Sequence, residues 1–543
     1  MPKLYFASLV TLSLLAAMLI GVFLAAMVAL GQVDLGLALI LTLVINAVLF
    51  VISPFLTDLM LRWINKLEWL DEATVRQRYP HVYAIIHEVA REYGFTAPFI
   101  GFIPDRNPTA FTYGILRSNA RIVLTQGIFE VLNEEETRAV VAHELGHIVN
   151  RDFLVMTVAG MLVQMMYQVY AAMRRASEKQ SGKKDKGGAA VMVAVAAYIA
   201  YILGEYILLY LSRTREYLAD SFSAERVEAR HLASALVKVA YGIARIEDTD
   251  ASRELLASTR HLGIVDVRNA RHFGLVAEAA AARPEAAAEA MLFDIYNPWA
   301  KLIEIGSTHP LTGHRIQHLA TIARDKRQRF DDYDVEGAAR RKRVDPAALR
   351  RKFASELVLL LMPYLAGALV IVAALASEQP ALAVLALPAG LIVWAMSIPR
   401  RFPFSDPARA SVADLMGDVA ASPVVGRAVR LDGEVIGRAD AGSIVGEDTV
   451  FADRTGRIIV DFRSLLAGLG DLWTGWRRIA PHIGQKGHVE GWFRRTQGGF
   501  VIMSSLETGA GRLTAKPYLQ GIVSLLLYGA VIVCVLAFLA YGG

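Results

Sequence analysis

Residues 142–149 read Ala142-His143-Glu144-Leu145-Gly146-His147-Ile148-Val149. His143 and His147 are four apart, so on a helix both imidazoles leave from one face, the spacing that suits two nitrogen ligands of a tetrahedral Zn²⁺. Glu144 would stand beside that metal, free to take a proton from a water. The flanks predict the helix. Asn133 with Glu136 three residues on is a capping box, Glu134 and Glu135 favour a helix N-terminus, and Val140, Val141, Leu145, Ile148 and Val149 supply an apolar back. The bland alternative is a chance match on an ordinary helix, so the rest of the chain has to decide.

The chain has 543 residues, of which 54% are hydrophobic, and a mean hydropathy of +0.38, too apolar for a soluble protein of this size. The apolar residues fall in seven blocks long enough to span a bilayer: 4–30, 36–58, 153–173, 189–211, 357–375, 380–398 and 518–540. The first follows Met-Pro-Lys and is longer than a signal-peptide core, so it is expected to be an uncleaved anchor. The single Cys534 lies in the last block, which leaves no intrachain disulfide and fits a reducing compartment.

Charge distribution gives an orientation. Arg340, Arg341, Lys342, Arg343, Arg350, Arg351 and Lys352 precede the fifth block, Arg400 and Arg401 follow the sixth, and Arg62, Lys66, Arg76 and Arg78 follow the second. The positive-inside rule puts these segments in the cytoplasm, and the Lys- and Arg-free Gly31–Asp34 loop outside. Such clusters also favour anionic lipid headgroups; no nucleic-acid partner is expected. The loop 174–188, with Arg174, Arg175, Lys179, Lys183, Lys184 and Lys186, conflicts with this rule if 153–173 and 189–211 both cross. Either the pair dips in without crossing or the loop is an exception; both return residue 212 to the side that holds residue 150.

The expected fold is a mainly α-helical polytopic membrane protein carrying a zincin-like metalloprotease domain and a small C-terminal β-barrel, OB-like, domain. The expected boundaries are two anchors over 1–59, a protease domain over 60–355 that includes the hydrophobic hairpin 153–211, a transmembrane hairpin over 356–399, a β-rich cytoplasmic domain over 400–517 and a last span over 518–543. In the protease segment, Val82–Tyr93 reads as helix and Phe99–Ile103 and Ile122–Leu124 as strands. The β domain follows from strand-like runs at Val429–Val435, Thr449–Phe451, Arg457–Phe462, Gly487–Phe493 and Gly499–Met503, with turns at Asp453-Arg-Thr-Gly456 and Gln497-Gly-Gly499. An OB reading would make Trp492, Phe493, Arg494 and Arg495 a nucleic-acid surface; a module that packs on the membrane domain or holds substrate is favoured, because fold alone assigns no function.

Two histidines do not complete a catalytic zinc site. Glu216, 69 residues beyond His147, is the leading third ligand because Asp220 lies four residues on, placed to orient a ligating histidine. A solvated Glu216 paired with Arg213 or Arg215 explains the spacing equally well.

Three stretches together resemble a family: His143-Glu-Leu-Gly-His147-Ile-Val-Asn-Arg-Asp152, then Ser212-Arg-Thr-Arg-Glu-Tyr-Leu-Ala-Asp220, then Ser307-Thr-His-Pro310 with His314-Arg315-Ile316. In this order they are similar to the M48 membrane metalloproteases, in particular the HtpX-like heat-shock proteases, relatives of the CAAX prenyl endopeptidases. The resemblance covers about residues 1–320. It implies one Zn²⁺ per chain held by His143, His147 and Glu216, Glu144 as base, Asp220 behind the ligands, and a cytoplasm-facing site in the cell (inner) membrane of a prokaryote. Where the family has Asn-Ala-Phe on a substrate-binding strand, this chain has Thr109-Ala110-Phe111, with Asn107 two residues earlier. His309, Arg213 and Arg215 are candidates for contacts that stabilise charge on the scissile carbonyl; packing before Pro310 and headgroup snorkelling are their structural alternatives.

The expected function is hydrolysis of peptide bonds, by Glu144-assisted attack of a water that Zn²⁺ activates, in membrane-protein or membrane-delivered polypeptides, in membrane protein quality control under stress. The alternatives are a dedicated processing protease of the CAAX-endopeptidase kind and an inactive zinc-containing scaffold.

Overall fold

The structure, a computed structural model, describes residues 34–179, 184–245, 284–331, 333–439, 448–464, 475–496 and 498–520, with Leu15, Met18, Leu19, Val22 and Val523 besides. The chain forms two compact units: residues 1–246, 251–270 and 304–331, and residues 247–250, 271–303 and 332–543. Of the described residues between the two hydrophobic hairpins, 284–303 and 333–355 fall in the second unit.

In the first unit a long helix α1 (Asp34–Asn65) leads to β1 (Glu68–Leu70), α2 (Glu72–Arg78), α3 (Pro80–Tyr93), β2 (Phe99–Ile103), β3 (Ala110–Tyr113), β4 (Arg121–Thr125) and α4 (Gln126–Val131). The four strands order as β1-β2-β4-β3, with β2 and β4 parallel and the other pairs antiparallel. Every residue of β3 and β4 is buried, which suits a near-continuous apolar run covered on both faces. Phe111 and Tyr113 pack with Leu61, Leu67, Ile103 and Val123 on one face of the sheet, and Thr112 between them points to the other.

The helix α5 (Glu134–Val149) has the capping box its sequence predicts: Glu136 N donates to Asn133 Oδ1 at 2.9 Å and Asn133 N to Glu136 Oε2 at 3.0 Å. It ends on Asn150, and Arg151 takes a left-handed φ of 57° before α6 (Asp152–Lys179) begins. That turn places Asp152 beside the end of α5 instead of a turn beyond it. The return helix α7 (Lys184–Arg226) runs unbroken for 43 residues, from the hydrophobic block through Glu216 and Asp220, and α8 (Ala229–Arg245) packs on α5.

In the second unit α9 (Pro284–Tyr296), α10 (Pro298–Ile305, whose last two residues fall in the first unit), α12 (Val335–Arg341), α13 (Pro346–Ala376) and α14 (Ala386–Arg401) precede the β domain; α11 (Thr312–Asp325) belongs to the first unit. The turn between α13 and α14 starts at Ser377-Glu378, next to the Glu378-Gln-Pro380 signal. The β domain holds β5 (Ala408–Arg409), α15 (Val412–Met416), β6 (Arg427–Arg438), β7 (Thr449–Asp453), β8 (Gly456–Asp461), β9 (Lys486–Arg495), β10 (Gly499–Thr508) and β11 (Gly511–Thr514). Pairing runs β6 to β7 to β8 to β10 to β9 and back to β6; only the β8–β10 step is parallel. Each of the five strand-like runs is a strand, and the Asp453–Gly456 turn joins β7 to β8.

The aromatic-basic run of β9 is spent inside this unit. Trp492 packs with Ile398, Phe402 and Ile502 and donates from Nε1 to Pro403 O at 2.9 Å. Arg495, 3% exposed, lies over the Phe293 ring at 4.3 Å and donates to the carbonyls of Met416 and Ala290.

Among the described residues, four helical stretches are long and apolar enough to cross a membrane: Asp152–Ser177, Ala190–Arg226, Pro346–Ala376 and Ala381–Arg401. They match four of the seven expected blocks, to within one residue at the start of 189–211 and 380–398. Block 36–58 falls within α1, part of whose side chains lie outside the described residues, as do most of 4–30 and 518–540.

Burial pushes the Glu136 carboxyl up, but Lys238 Nζ at 2.7 Å, the Ser234 hydroxyl and the Asn133 N–H outweigh it and hold the group below the usual carboxylate range. A depressed folded-state value contributes stability that is complete at neutral pH and is lost as pH falls through that value. Glu136→Gln should cost about 1–2 kcal/mol at pH 7 and flatten the acid limb of the stability curve below about pH 4.3, measured by denaturant melts of the detergent-solubilised protein.

Candidate active site

The pentapeptide lies in the last two turns of α5, where the helix is packed on all sides. His143 and Glu144 are 0% and 1% exposed, and Glu216 and Asp220 of α7 are 6% and 0%. Buried charge is costly unless it is paired, so the partners of each group carry the argument.

His143 Nε2 and His147 Nε2 are 3.2 Å apart. Glu216 Oε2 lies 3.7 Å from the first and Oε1 lies 3.6 Å from the second. The two rings meet edge to face, at 90° with centroids 4.8 Å apart. Behind them each ring has a carboxylate: Asp220 Oδ1 is 3.0 Å from His143 Nδ1, off the ring N–H axis, and Asp152 Oδ2 is 2.6 Å from His147 Nδ1. An acid behind each ring favours the tautomer with the proton on Nδ1, which leaves the Nε2 lone pair facing inward. Two lone pairs and a carboxylate facing one another repel unless a cation lies between them. A four-coordinate zinc with bonds of about 2.0–2.2 Å spaces its ligand atoms about 3.3–3.5 Å apart. The donor set fits that ion.

Each supporting carboxylate is held by an arginine. Arg315 of α11 donates to Asp220 from Nε at 2.9 Å and Nη2 at 2.6 Å, and its Nη1 is 3.4 Å from Glu216 Oε2. Burial would lower the Arg315 pKa, but Asp220 and Glu216 hold it above its ordinary value, so the guanidinium stays charged. Arg215 pairs with Asp152 and donates to Asn150 O at 2.5 Å. The nominated Arg215 therefore positions the acid behind His147. Arg213 donates to the carbonyls of Glu304, Ile305 and Ser307. It clamps the chain that leads to His309, whose Nδ1 is 3.1 Å from Glu216 Oε2 and neither of whose ring nitrogens makes a hydrogen bond. Glu304 fastens the other end, accepting from Leu311 N at 2.7 Å with His314 Nδ1 at 3.0 Å. These contacts hold the Glu304 carboxyl below its usual range against the upward push of burial.

Glu144 is half-committed. Thr112 Oγ1 donates to Oε2 at 2.6 Å, while Oε1 is buried with no partner. Thr112 stands on β3, the last strand of its sheet. Phe111 and Thr109, the residues nominated for substrate contact, are placed otherwise. Phe111 is fully buried in the core on the opposite face, because strand side chains alternate. Thr109 is tied to Thr125, which donates to Thr109 O and accepts from Thr109 N.

Gly146 is what allows α7 to come this close. A Cβ there would sit 3.0 Å from Ala219 Cα and 3.2 Å from Phe222 Cβ. One turn away, Ser223 Oγ donates to Ala139 O at 2.7 Å and locks the pair.

Sequence reasoning gave no role to Asp152, Arg315 or Thr112. Asp152 lies past the end of α5, beyond any helical period. Arg315 could have been sought as the cation that a buried Asp220 requires. No spacing joins Thr112 to Glu144.

A family model described as Peptidase family M48 matches residues 76–323. A protein named "Protease HtpX homolog" from Methanothermobacter thermautotrophicus is 33% identical over 199 residues, covering 36% of this chain and 70% of its own length. One of the same name from Syntrophobacter fumaroxidans is 33% identical over 247 residues, covering 44% and 83%. The chain belongs to peptidase family M48. A third HtpX homologue, from Thermococcus kodakarensis, is 29% identical over 296 residues, 51% of this chain and 87% of that one. The solved "Crystal Structure of S. mikatae Ste24p" superposes with a TM-score of 0.34 at 16% identity, covering 59% and 67%, a likeness too slight to build on. As an HtpX-like M48 member the chain is a multi-pass membrane peptidase, and its β domain lies beyond the matched M48 region.

Gly146→Ala separates the helix-propensity gain of about 0.5–1 kcal/mol from the packing cost of about 1–3 kcal/mol. The packing cost wins because the obstacle is the Ala219 backbone, which cannot swing aside. The variant should lose thermal stability and bind added zinc more weakly by titration. Asp152→Asn and Asp220→Asn should each weaken zinc binding about 10–100-fold.

Proposed function

We propose that this chain is a zinc metalloendopeptidase that hydrolyses peptide bonds in membrane-embedded or membrane-delivered polypeptides. The observation that supports it best is the convergence of His143 Nε2, His147 Nε2 and a Glu216 carboxylate, ligand atoms all within 4.8 Å of one another, beside a buried Glu144 with one unpartnered oxygen. His143, His147 and Glu216 would hold one Zn²⁺, which when bound supplies Lewis-acid polarisation and a more acidic water.

The remaining steps belong to the chain's own groups. Thr112 aims Glu144 by holding Oε2 and leaving Oε1 to accept a proton from the attacking water. As the water oxygen bonds to the scissile carbon, the carbonyl oxygen gains negative charge. His309, kept near the site by the Arg213 and Glu304 clamps, is the candidate donor to it. When the C–N bond breaks, Glu144 returns the proton to the leaving amine. The edge strand β3 offers its backbone to an extended substrate by strand addition. His147, at 17% side-chain exposure, is the most open member of the site and marks the side of entry.

The basic segments around the spans support a cytoplasm-facing site in the inner membrane of a prokaryotic cell, with anionic headgroups beside it. Kinship with HtpX homologues supports a quality-control role. The ring of five strands, with its single parallel step, supports an OB-like barrel. Trp492, Phe493 and Arg495 are buried within the second unit, partly against its helices, which favours a packing or substrate-holding module over a nucleic-acid surface.

Glu144→Ala decides the reading. Wild type and variant should both bind about one zinc per chain, and only wild type should cleave an unfolded polypeptide, with loss of at least about 10³-fold in the variant. Equal cleavage by both proteins, or no zinc in either, would sink the proposal.

A further inference from the structure

Within the part of α7 apolar enough to cross a bilayer lies an acid, Glu205, hydrogen-bonded to Tyr201. Tyr198 stands one turn further from the active site. From α6, Tyr167 and Tyr170 complete a group of four phenols, with ring centroids 5.3 Å apart for Tyr167–Tyr201 and 5.1 Å for Tyr170–Tyr198. The seam between the helices is apolar and tight: Gly204 faces Val163 and Met166, where a Cβ would sit 3.1 Å from Val163. Tyr167 and Tyr198 are 40% and 45% exposed, whereas Tyr170 and Tyr201 are half-buried, and Tyr201 packs on the clusters that hold Leu15 and Leu19. A half-buried carboxyl and two exposed phenols on a helix pair are costly against lipid and mark a function.

The stripe has a direction. At about 100° per residue, Tyr198, Tyr201, Glu205, Ser212 and Glu216 fall within about 80° of one face of α7. Glu205 is 11 residues, about 16 Å along the axis, from the Glu216 of the metal cluster. One helix face therefore joins a polar group inside the bilayer to the catalytic cluster at its edge.

We propose that this tyrosine–glutamate stripe receives a transmembrane segment of the substrate whose helix is locally unwound, and leads it to the metal cluster. Phenols donate and accept and the Glu205 carboxyl accepts, matching the peptide N–H and C=O groups that an unwound segment exposes in hydrocarbon. Lipid tails offer no such groups, and Glu205 would repel an anionic headgroup. A second copy of this chain docked by a twofold axis would set Glu205 against Glu205. The inference rests on the protease reading above and gives it a substrate class: membrane-spanning polypeptides with Gly, Pro or polar residues in the span.

The test uses the full chain in nanodiscs and two substrates, soluble unfolded casein and a single-span protein with Gly-Pro in its span. Glu205→Leu and Tyr201→Phe should lower kcat/KM for the single-span substrate about three- to tenfold and leave casein cleavage unchanged, and Glu205→Gln, which keeps an acceptor, should recover part of the loss. Equal losses on both substrates would reveal a structural role and overturn the proposal, as would no loss on either. A second arm needs no cleavage: in Glu144→Ala, a benzoylphenylalanine at position 198 should cross-link to the substrate span. Adducts only to lipid or to a second copy of this chain would overturn the inference. Wild type that cleaves neither substrate while the cross-link forms would count against the protease reading alone.

Discussion

The approach of two helix backbones at Gly146 and Ala219 is the constraint on which the site depends. The histidines and Glu216 are separated by 69 residues of chain and two hydrophobic helices, and only α5 against α7 brings them together. A side chain at position 146 would push α7 away by the size of a methyl group, and the ligand atoms, now 3.2–3.7 Å apart, would separate with it. The Ser223–Ala139 hydrogen bond fixes the same pair one turn on.

Around that contact the charges form layers of alternating sign. Two imidazoles face a cation position, Asp152 and Asp220 stand behind them, and Arg215 and Arg315 stand behind the acids. Each layer neutralises the one inside it. That is how Glu216, Asp220 and Arg315, with exposures of 6%, 0% and 2%, stay charged in the interior. The arrangement also explains the departures from α-helical regularity: Arg151 accepts a left-handed φ of 57° because the turn it makes puts Asp152 under His147.

Much of this was legible along the chain. The capping box on α5, the helix carrying His143 and His147, the strands β2 and β4, the hydrophobic pair before Glu216 and the five strands of the β domain follow from periodicity and turn residues, which are local properties. Glu216 was legible only as one of two equal readings until the resemblance was added, because i,i+3 and i,i+4 spacing also suits a solvated ion pair. Thr109 and Phe111 illustrate the opposite limit. Their place on a strand was expected, but Thr109 falls just before β3, and which face of the sheet Phe111 presents depends on what packs there. The core took Phe111 and left Thr112 to Glu144.

The sequence by itself determined the long helices, most of the strands, the His143–His147 pentapeptide and the membrane setting, since each depends on residues within one or two turns of one another. Spacing left the third carboxylate open between two readings and the resemblance named Glu216 and Asp220; tertiary structure alone decided that Asp152 stands behind His147 and which arginines hold the two acids. Their selection is a matter of charge balance in a buried space, and that space exists only where α5, α7 and α11 meet.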